Sequence, residues 1–249
     1  MKGFLILLRK ELMTYFISPV AYILFVFFHV LMGFSVWYLV NLLTKEQTAI
    51  SLVLPEVFGS IFFWLANLLV VPPLTMRVFA EEKKEGTLET LMTAPVTDWQ
   101  VVSSKFFGAY LLYLFLWAPT VAYGPLLAAS SANQFRPDPG GLVAIYTGVA
   151  GLGALFVAIG VLCSSFTRNQ VVAAIMSFTL IAMVFLVGFL PYVSPVQWVV
   201  DVSAYFSLVQ HMDDFRRGAI DSRPLVLYIS TVVVLLFATA RSLEMRRWR

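Results

Sequence analysis

The chain contains 249 residues, of which 60% are hydrophobic and only 12% are charged, and its mean hydropathy is +0.85. Charged residues make up about a quarter of a typical soluble protein, so one soluble core of this length cannot bury so much apolar surface. The composition excludes an ordinary soluble domain and indicates that lipid surrounds most of the chain. The net charge of +3 is too small to be informative by itself.

The first predicted element is an N-terminal helix over residues 1–18. Its apolar residues recur at helical spacing on one side: Phe4, Leu8, Leu12 and Tyr15. Its basic residues lie off that stripe, which is typical of a helix that lies in the membrane interface. The pattern favours an interfacial helix over a simple N-terminal extension of the first membrane span, although the same residues would suit both.

Six stretches are apolar over the roughly 20 residues that a helix needs to cross the hydrocarbon core of a bilayer. These predicted spans cover residues 20–43, 57–79, 103–130, 140–166, 169–191 and 223–241. Pro72 and Pro73 should bend the second span, because proline removes a backbone donor from a helix. The connection 194–223 is too long to lack structure and is expected to form short helices at the outer face. The predicted fold is an all-α polytopic membrane protein with one transmembrane domain over residues 1–249.

The distribution of basic residues predicts the orientation in the membrane. With six spans, both termini lie on one side, and that side holds twelve of the 17 Lys and Arg residues. Loops with an excess of Lys and Arg face the cytoplasm, so both termini are predicted to be cytoplasmic. The loop between spans 2 and 3 is acidic, but Asp and Glu contribute little to topology.

Several kinds of chemistry are missing from the sequence. It has no phosphate-binding G-x-x-x-x-G-K-[ST] motif, so the chain is predicted to be non-catalytic, without a cofactor of its own. Ion-coupled carriers usually bury titratable groups within their spans, whereas these spans are almost free of them. His29 is the one histidine within a span, and a hydrogen bond to a neighbouring helix explains it more simply than a proton relay.

A second group of polar residues lies before the sixth span. His211, Asp213 and Asp214 could in principle bind a metal ion, but Arg216 and Arg217 follow directly and can pair with the carboxylates. A metal site needs at least three convergent ligands. The structural interpretation is therefore favoured, and no metal site is predicted.

The loop between spans 2 and 3 has the clearest pattern of any connection. The second span is expected to extend beyond the membrane and end near Gly86, which can adopt the left-handed geometry of a helix C-cap. A short helix should then begin with Thr87 as its N-cap and end before Pro95. Thr97 or Asp98 is expected to cap the helix that re-enters the membrane.

This short helix has one apolar face, formed by Leu88, Leu91 and Met92. An apolar face exposed at the membrane surface indicates a docking partner. Alternatively, the face packs against lipid headgroups or against the ends of the chain's own spans. The residues by themselves do not separate these alternatives.

The fourth span carries a stripe of small residues with helical spacing: Ala144, Gly148, Gly151, Ala154 and Ala158. Small residues on one face allow two helices to approach closely. The stripe could serve internal packing or a contact between subunits. Internal packing is favoured, because such stripes are common in helical membrane bundles.

Three segments resemble one family of membrane proteins. Residues 77–97, R-x-F-A-E-E-K-K-E-G-T-L-E-T-L-M-T-A-P-V-T, followed by K-F-F-G-A at 105–109, are similar to the inner loop of ABC-2-type transporter permeases. The N-terminal L-R-K-E-L…Y-F-x-S-P and the late R-G-A-I-D-S-R-P-L-V-L-Y at 217–228 resemble the gliding-motility-associated branch of that family. The three motifs occur in the expected order along the whole chain.

The resemblance implies a membrane subunit without ATPase activity. Two permeases, either copies of this chain or this chain and a paralogue, would form the membrane core, and separate ATPase subunits would bind ATP and Mg²⁺. The family's cytoplasmic coupling helix would correspond to residues 86–95. The residues expected to contact the ATPase are Glu85, Gly86, Thr87, Leu88, Glu89, Leu91, Met92 and Pro95. The resemblance also implies export, and a multi-pass location in the bacterial plasma (inner) membrane.

Two other functions stay open. One is a mechanical or assembly role, in which a related complex acts on an envelope or periplasmic auxiliary protein and moves no cargo. The other is an ion-coupled carrier, which the scarcity of charged groups in the spans disfavours. Membrane lipid is an expected partner in every case, and no nucleic acid is expected.

Overall fold

The computed structural model describes residues 2–45, 52–88, 96–130, 138–193 and 195–247. Within these ranges the chain consists of helices and short connections, without a strand. The α-helices from the N-terminus through the third span are α1 Lys2–Ile17, α2 Pro19–Lys45, α3 Val53–Gly59, α4 Ile61–Thr75, α5 Arg77–Glu85, α6 Asp98–Trp117 and α7 Tyr123–Ser130. Those that follow are α8 Pro139–Phe166, α9 Gln170–Val187, α10 Leu190–Val193, α11 Gln197–Phe206, α12 Leu208–Arg216 and α13 Ser222–Arg247.

The described residues contain six helical stretches long and apolar enough to cross a membrane: Pro19–Lys45, Ile61–Glu85, Asp98–Ala129, Pro139–Phe166, Gln170–Val187 and Ser222–Glu244. Span 2 thus consists of α4 and α5, and span 3 of α6, a 3₁₀ helix (Ala118–Ala122) and α7. The predicted all-α polytopic fold is confirmed. So are the short helices between spans 5 and 6, which are α10, α11 and α12.

The N-terminal helix is separate from the first span. The helical pattern is interrupted at Ser18, and α1 packs along α6, not in line with α2. Tyr15 Oη donates to Leu74 O of α4 (3.3 Å), and the edges of Phe16 and Phe115 meet at a centroid distance of 5.5 Å. These contacts hold α1 along α6 of span 3 and against the middle of span 2.

Span 2 begins later than the expected residue 57. Ser60 has an extended backbone (ψ 159°), and its hydroxyl donates to Val57 O (2.7 Å), so the helix breaks there. Residues 53–59 form the separate helix α3, which packs against α12. In span 3, the 3₁₀ turn contains Pro119, which lacks the backbone donor that would continue α6.

Helix α8 is the centre of the bundle and packs against α4, α5, α6, α9, α12 and α13. Asp138 caps its N-terminus by accepting from the amides of Gly140 and Gly141. Glycines of α8 allow close approach of its neighbours: a Cβ at Gly153, for example, would lie 1.9 Å from Tyr113 of α6. Spans 1 and 5, in contrast, present most of their surface outward, as expected for lipid-facing helices.

Candidate functional site

The candidate site is the base of the loop between spans 2 and 3. The structure describes this loop as far as Leu88 and again from Val96. Four of the proposed contact residues lie outside the described residues: Glu89, Leu91, Met92 and Pro95. The geometry below therefore concerns the two ends of the loop and the elements that hold them.

The loop leaves span 2 through a left-handed glycine. Gly86 has φ +74°, and α5 ends directly before it at Glu85. Because a left-handed backbone costs little only for glycine, this position sets the direction in which the loop departs. Glu85, Gly86 and Thr87 are exposed there.

The next two residues, Thr87 and Leu88, contact other parts of the chain. Thr87 lies in a helical turn, and its hydroxyl donates back to Glu82 O (3.4 Å), at the end of α5. The amides that Thr87 would cap, two and three residues later, lie outside the described residues, so its role as an N-cap stays a prediction. Leu88 is only 7% exposed and belongs to the hydrophobic core of the chain. Leu88 therefore packs against the chain's own helices, which is one of the two alternatives given for the apolar face.

The return into the membrane is capped by Thr97. Its hydroxyl accepts from Gln100 N, and its own amide donates to Gln100 Oε1, both at 3.3 Å. This capping box satisfies two amides that a helix start otherwise leaves without partners. Thr97, and not Asp98, is the cap that starts α6.

Four charged side chains form a cluster directly beneath the loop: Lys10, Glu11, Glu82 and Lys105. Lys105 Nζ lies 3.0 Å from Glu11 Oε1 and 2.9 Å from Glu82 Oε2. Lys10 Nζ lies 2.9 Å from Glu82 Oε1 and 4.0 Å from Glu11. The cluster joins the three elements around the loop, because its members come from α1, α5 and α6.

The central member of this charge cluster is deeply buried. The side chain of Lys105 is 2% exposed and that of Glu11 is 9% exposed. The Lys105 ammonium also lies 5.3 Å from the ring centroid of Phe79, a cation–π distance. Buried charges are costly unless they are paired, so this geometry strongly favours keeping α1, α5 and α6 together.

Lys10 marks the exposed edge of the charge cluster, since about half of its side chain is accessible. Burial works against its charged form, but the hydrogen bond to Glu82 and the charge of that carboxylate prevail and raise the pKa of Lys10. A cavity of about 380 Å³ opens beside it between α1, α5 and α6, with Arg77, Glu81 and Thr87 among its lining residues. The base of the loop thus offers groups of both charge signs to a partner.

Helix α5 is joined to α8 by hydrogen bonds. Ser164 Oγ accepts from Phe79 N (3.0 Å) and Ala80 N (3.1 Å) and donates to Met76 O (3.0 Å). Lys83 Nζ donates in the other direction, to Ser165 O of α8. The half of span 2 that carries the loop is therefore bound to span 4 by hydrogen bonds as well as by packing.

The small-residue stripe of α8 faces two other elements of the chain. A Cβ at Gly148 would lie 2.6 Å from Phe215 of α12, and one at Gly151 would lie 2.8 Å from Tyr228 of α13. The alanines of the stripe are buried or partly buried: Ala144, Ala154 and Ala158. We interpret the stripe as a packing surface within one chain.

The polar residues of α12, before the sixth span, contact one another and nearby elements. Arg216 and Arg217 both pair with Asp213, and Arg216 also reaches Glu56 of α3 (2.6 Å). Burial lowers the pKa of His211, which lies 3.0 Å from the Tyr228 hydroxyl. Over the described ranges, no three His, Cys, Asp or Glu side chains are grouped so that they could hold a metal ion.

His29 is close to its own helix and to aromatic rings. Its Nδ1 lies 2.9 Å from Phe25 O, one helical turn earlier, and its ring centroid is 4.2 Å from that of Phe25. Its described hydrogen bond is therefore to its own helix and not, as expected, to a neighbouring one.

Sequence reasoning missed the charge cluster and the hydrogen bonds of Ser164. It used Lys105 only as a positive charge at the start of span 3 and treated Glu82 as part of an acidic loop. A usable signal was present, because a lysine two turns into a helix that becomes a membrane span needs a carboxylate partner if it is buried. Nothing in the sequence indicated which carboxylates those would be.

The fold and this site define a class of protein: a polytopic α-helical membrane protein whose connection between spans 2 and 3 has a cluster of paired charges at its base. The family described as ABC-2 family transporter protein matches residues 45–240. The chain belongs to the ABC-2 transporter family, and it is a membrane-spanning transporter subunit of a kind that is generally non-catalytic. A comparison with curated proteins finds no match.

Proposed function

We propose that this chain is the permease subunit of an ATP-driven exporter, and that a separate ATPase, which binds ATP and Mg²⁺, docks at residues 86–95. The observation that supports this proposal is the buried charge cluster of Lys10, Glu11, Glu82 and Lys105 at the base of that loop. A loop that only connected two spans would not need three elements locked together beneath it. An element that receives force from a partner does need such a base.

The exposed residues at the loop's start supply the accessible part of the proposed contact. Glu85, Gly86 and Thr87 are exposed, whereas Leu88 is buried and anchors the loop to the core. Glu89, Leu91, Met92 and Pro95 complete the proposed contact. ATP binding would change the relative stability of two permease conformations only if the ATPase holds this loop differently in each of them.

Orientation and assembly follow the same proposal. The excess of Lys and Arg on the side of the termini and of the 86–95 loop supports a cytoplasmic location for both, in the bacterial plasma (inner) membrane. The outward-facing apolar surfaces of α2 and α9 would contact lipid and a second permease, either a copy or a paralogue. The motifs at the N-terminus and at 217–228 support placement near the gliding-motility-associated branch.

One observation supports the mechanical alternative, in which the complex acts on an envelope protein. On α11, Trp198, Val202 and Tyr205 are spaced along one face and are each more than half exposed. Such an aromatic face suits an outer partner as well as a membrane interface. An ion-coupled carrier has less support, because the two carboxylates of the charge cluster, Glu11 and Glu82, are both paired with lysines.

The first test is purification of the tagged chain from its membrane in mild detergent, with all stoichiometric partners identified by mass spectrometry. The proposal expects a soluble chain with a phosphate-binding loop, near one copy per permease. An envelope protein found in addition would favour the mechanical alternative. Absence of any ATPase, under conditions that preserve other membrane complexes, would refute the proposal.

A second test locates the contact. Leu91→Asp should reduce ATPase co-purification, whereas Ile220→Asp makes the same chemical change at an exposed position on the other side of the membrane. Both variants must insert and elute from gel filtration as the unmodified protein does. Equal ATPase recovery with the two variants would move the contact away from residues 86–95.

A further inference from the structure

Span 2 is interrupted where it passes α8. The helical hydrogen-bond pattern is broken at Met76, three residues after Pro73, although Met76 keeps helical backbone angles (φ −56°, ψ −30°), and α5 begins at Arg77. The first four amides of a helix have no acceptor within it. Counted from the N-cap Met76, the fourth of these is Phe79 N, and both it and the next amide, Ala80 N, donate to the hydroxyl of Ser164, which belongs to a different span. The N-terminus of α5 is therefore capped by a side chain from α8.

The C-terminus of α8 has carbonyl groups without donor partners in the helix. This helix ends at Phe166, so the carbonyl of Ser165 is one of the last four that have no donor amide within the helix. Lys83 of α5 donates to this carbonyl, and both residues are buried. Each helix thus caps a terminus of the other, an arrangement that we name the reciprocal cap (Lys83, Ser164 and Ser165).

Close packing accompanies the reciprocal cap. A Cβ at Gly160 of α8 would lie 2.1 Å from Thr75 Oγ1, at the last residue of α4. No residue larger than glycine fits there without movement. Span 2 and α8 are therefore closely packed at the residue directly before Met76, where the helical pattern of span 2 is interrupted.

We propose that the reciprocal cap makes α5 and the cytoplasmic end of α8 one rigid unit, and that Ser164 and Lys83 are positioning residues for coupling. This inference rests on the proposed function, because it takes the loop after α5 as the place where the ATPase acts. When that loop is displaced, span 4, at the centre of the bundle, moves with it, and span 2 bends at Pro72–Met76.

The experiment compares two adjacent serines. Ser164→Ala removes the acceptor of two buried amides. Ser165→Ala is the matched control, because the Ser165 hydroxyl donates to Leu162 O within its own helix, and its carbonyl remains available to Lys83. Both substitutions delete one buried hydroxyl from the same helical turn.

Spin labels at Lys84→Cys and Arg168→Cys, both exposed positions, report the distance between α5 and the end of α8. The background is Cys163→Ala, which removes the chain's one cysteine. Pulsed electron paramagnetic resonance is recorded on the complete complex in nanodiscs, nucleotide-free and trapped with vanadate. A third label at Ile61→Cys, paired with Lys84→Cys, reports bending across the interruption.

The parent protein and Ser165→Ala should give one narrow Lys84–Arg168 distance that is the same in both nucleotide states, while the Ile61–Lys84 distance changes. Ser164→Ala should broaden the first distance or make it depend on nucleotide. If Ser164→Ala does not fold, Lys83→Met tests the other half of the reciprocal cap with the same readout. A loss of folding stability alone would not produce a nucleotide-dependent distance.

The proposal would be overturned if the Lys84–Arg168 distance changed with nucleotide in the parent protein. It would also be overturned if Ser164→Ala left the distribution of that distance narrow and unchanged. If no ATPase binds, the proposed function fails, yet the isolated permease still tests the rigid unit. There, the parent protein must give a narrow distance and Ser164→Ala a broad one. The two failures are thereby distinguishable.

Discussion

Replacement of Lys105 by methionine tests whether the charge cluster holds the base of the loop together. Lys105 is 2% exposed and lies within 3.0 Å of carboxylates from both α1 and α5. Removing one partner of a buried ion pair leaves uncompensated charge and typically costs about 3–5 kcal/mol. In Lys105→Met, Glu11 and Glu82 would share only Lys10, which is about half exposed. For a chain of this size, that cost corresponds to a melting temperature lower by roughly 6–20 °C.

The protein carries its own reporter for this measurement. Cys163 is the one cysteine in the chain and is fully buried, so a thiol-reactive dye labels the purified protein only as it unfolds. Lys84→Met is the matched control, because Lys84 is exposed on the same helix as Glu82, and its loss should change stability by less than about 0.5 kcal/mol.

A double-mutant cycle adds a test of the pairing itself. Glu11→Gln in the Lys105→Met background should cost less than it does alone, with a coupling energy of roughly 1–3 kcal/mol. The reasoning would be wrong if Lys105→Met melted like Lys84→Met, or if the effects of Lys105→Met and Glu11→Gln were simply additive.

Three further predictions use the same labelling assay. Gly153→Ala should lower the free energy of unfolding by about 1–3 kcal/mol or more, because the new Cβ would lie 1.9 Å from Tyr113. Gly33→Ala is the control, because a Cβ at Gly33 would have no neighbouring atom within 4 Å. Equal effects of the two substitutions would contradict the packing at α8. Gly86→Ala should cost about 1–2 kcal/mol, because its φ of +74° strains any residue with a Cβ, and an unchanged melting temperature would argue against that turn. His211 is buried and its pKa is lowered, so the stability that its neutral form contributes is present above the unfolded-state pKa of about 6.5 and is lost as the pH falls through the folded-state pKa. The melting temperature should therefore depend less on pH, between pH 5 and 8, in His211→Gln than in the parent protein. Parallel pH profiles of the two proteins would contradict this.

Much of the architecture could be predicted because it depends on local composition. Apolar length alone predicted the six spans, since lipid requires about 20 apolar residues in each helix. The end of α5 at Gly86 and the start of α6 at Thr97 follow from the backbone preferences of those residue types. Aromatic content and length predicted short helices at 194–223. Each of these inferences needs only neighbouring residues.

Some local features were still misjudged. Span 2 begins at Ile61 and not near residue 57, because Ser60 interrupts a run that is apolar on both sides. His29 was expected to bond a neighbouring helix, but its described hydrogen bond is to Phe25 O of its own helix. A polar side chain can bond its own helix or a neighbouring one, and composition does not distinguish them.

By itself, the sequence determined what surrounds the chain and where it turns, because hydropathy and backbone preference act over a few residues. Only the tertiary structure decided which distant groups meet. Lys105 pairs with a glutamate 94 positions away, and Ser164 accepts from amides more than 80 positions away. Likewise, Leu88 lies in the core although its segment reads as a surface helix. Such pairings depend on how six helices are arranged around α8, and that arrangement is set by the fit of side chains such as Tyr113 against glycines, which hydrophobic periodicity does not encode.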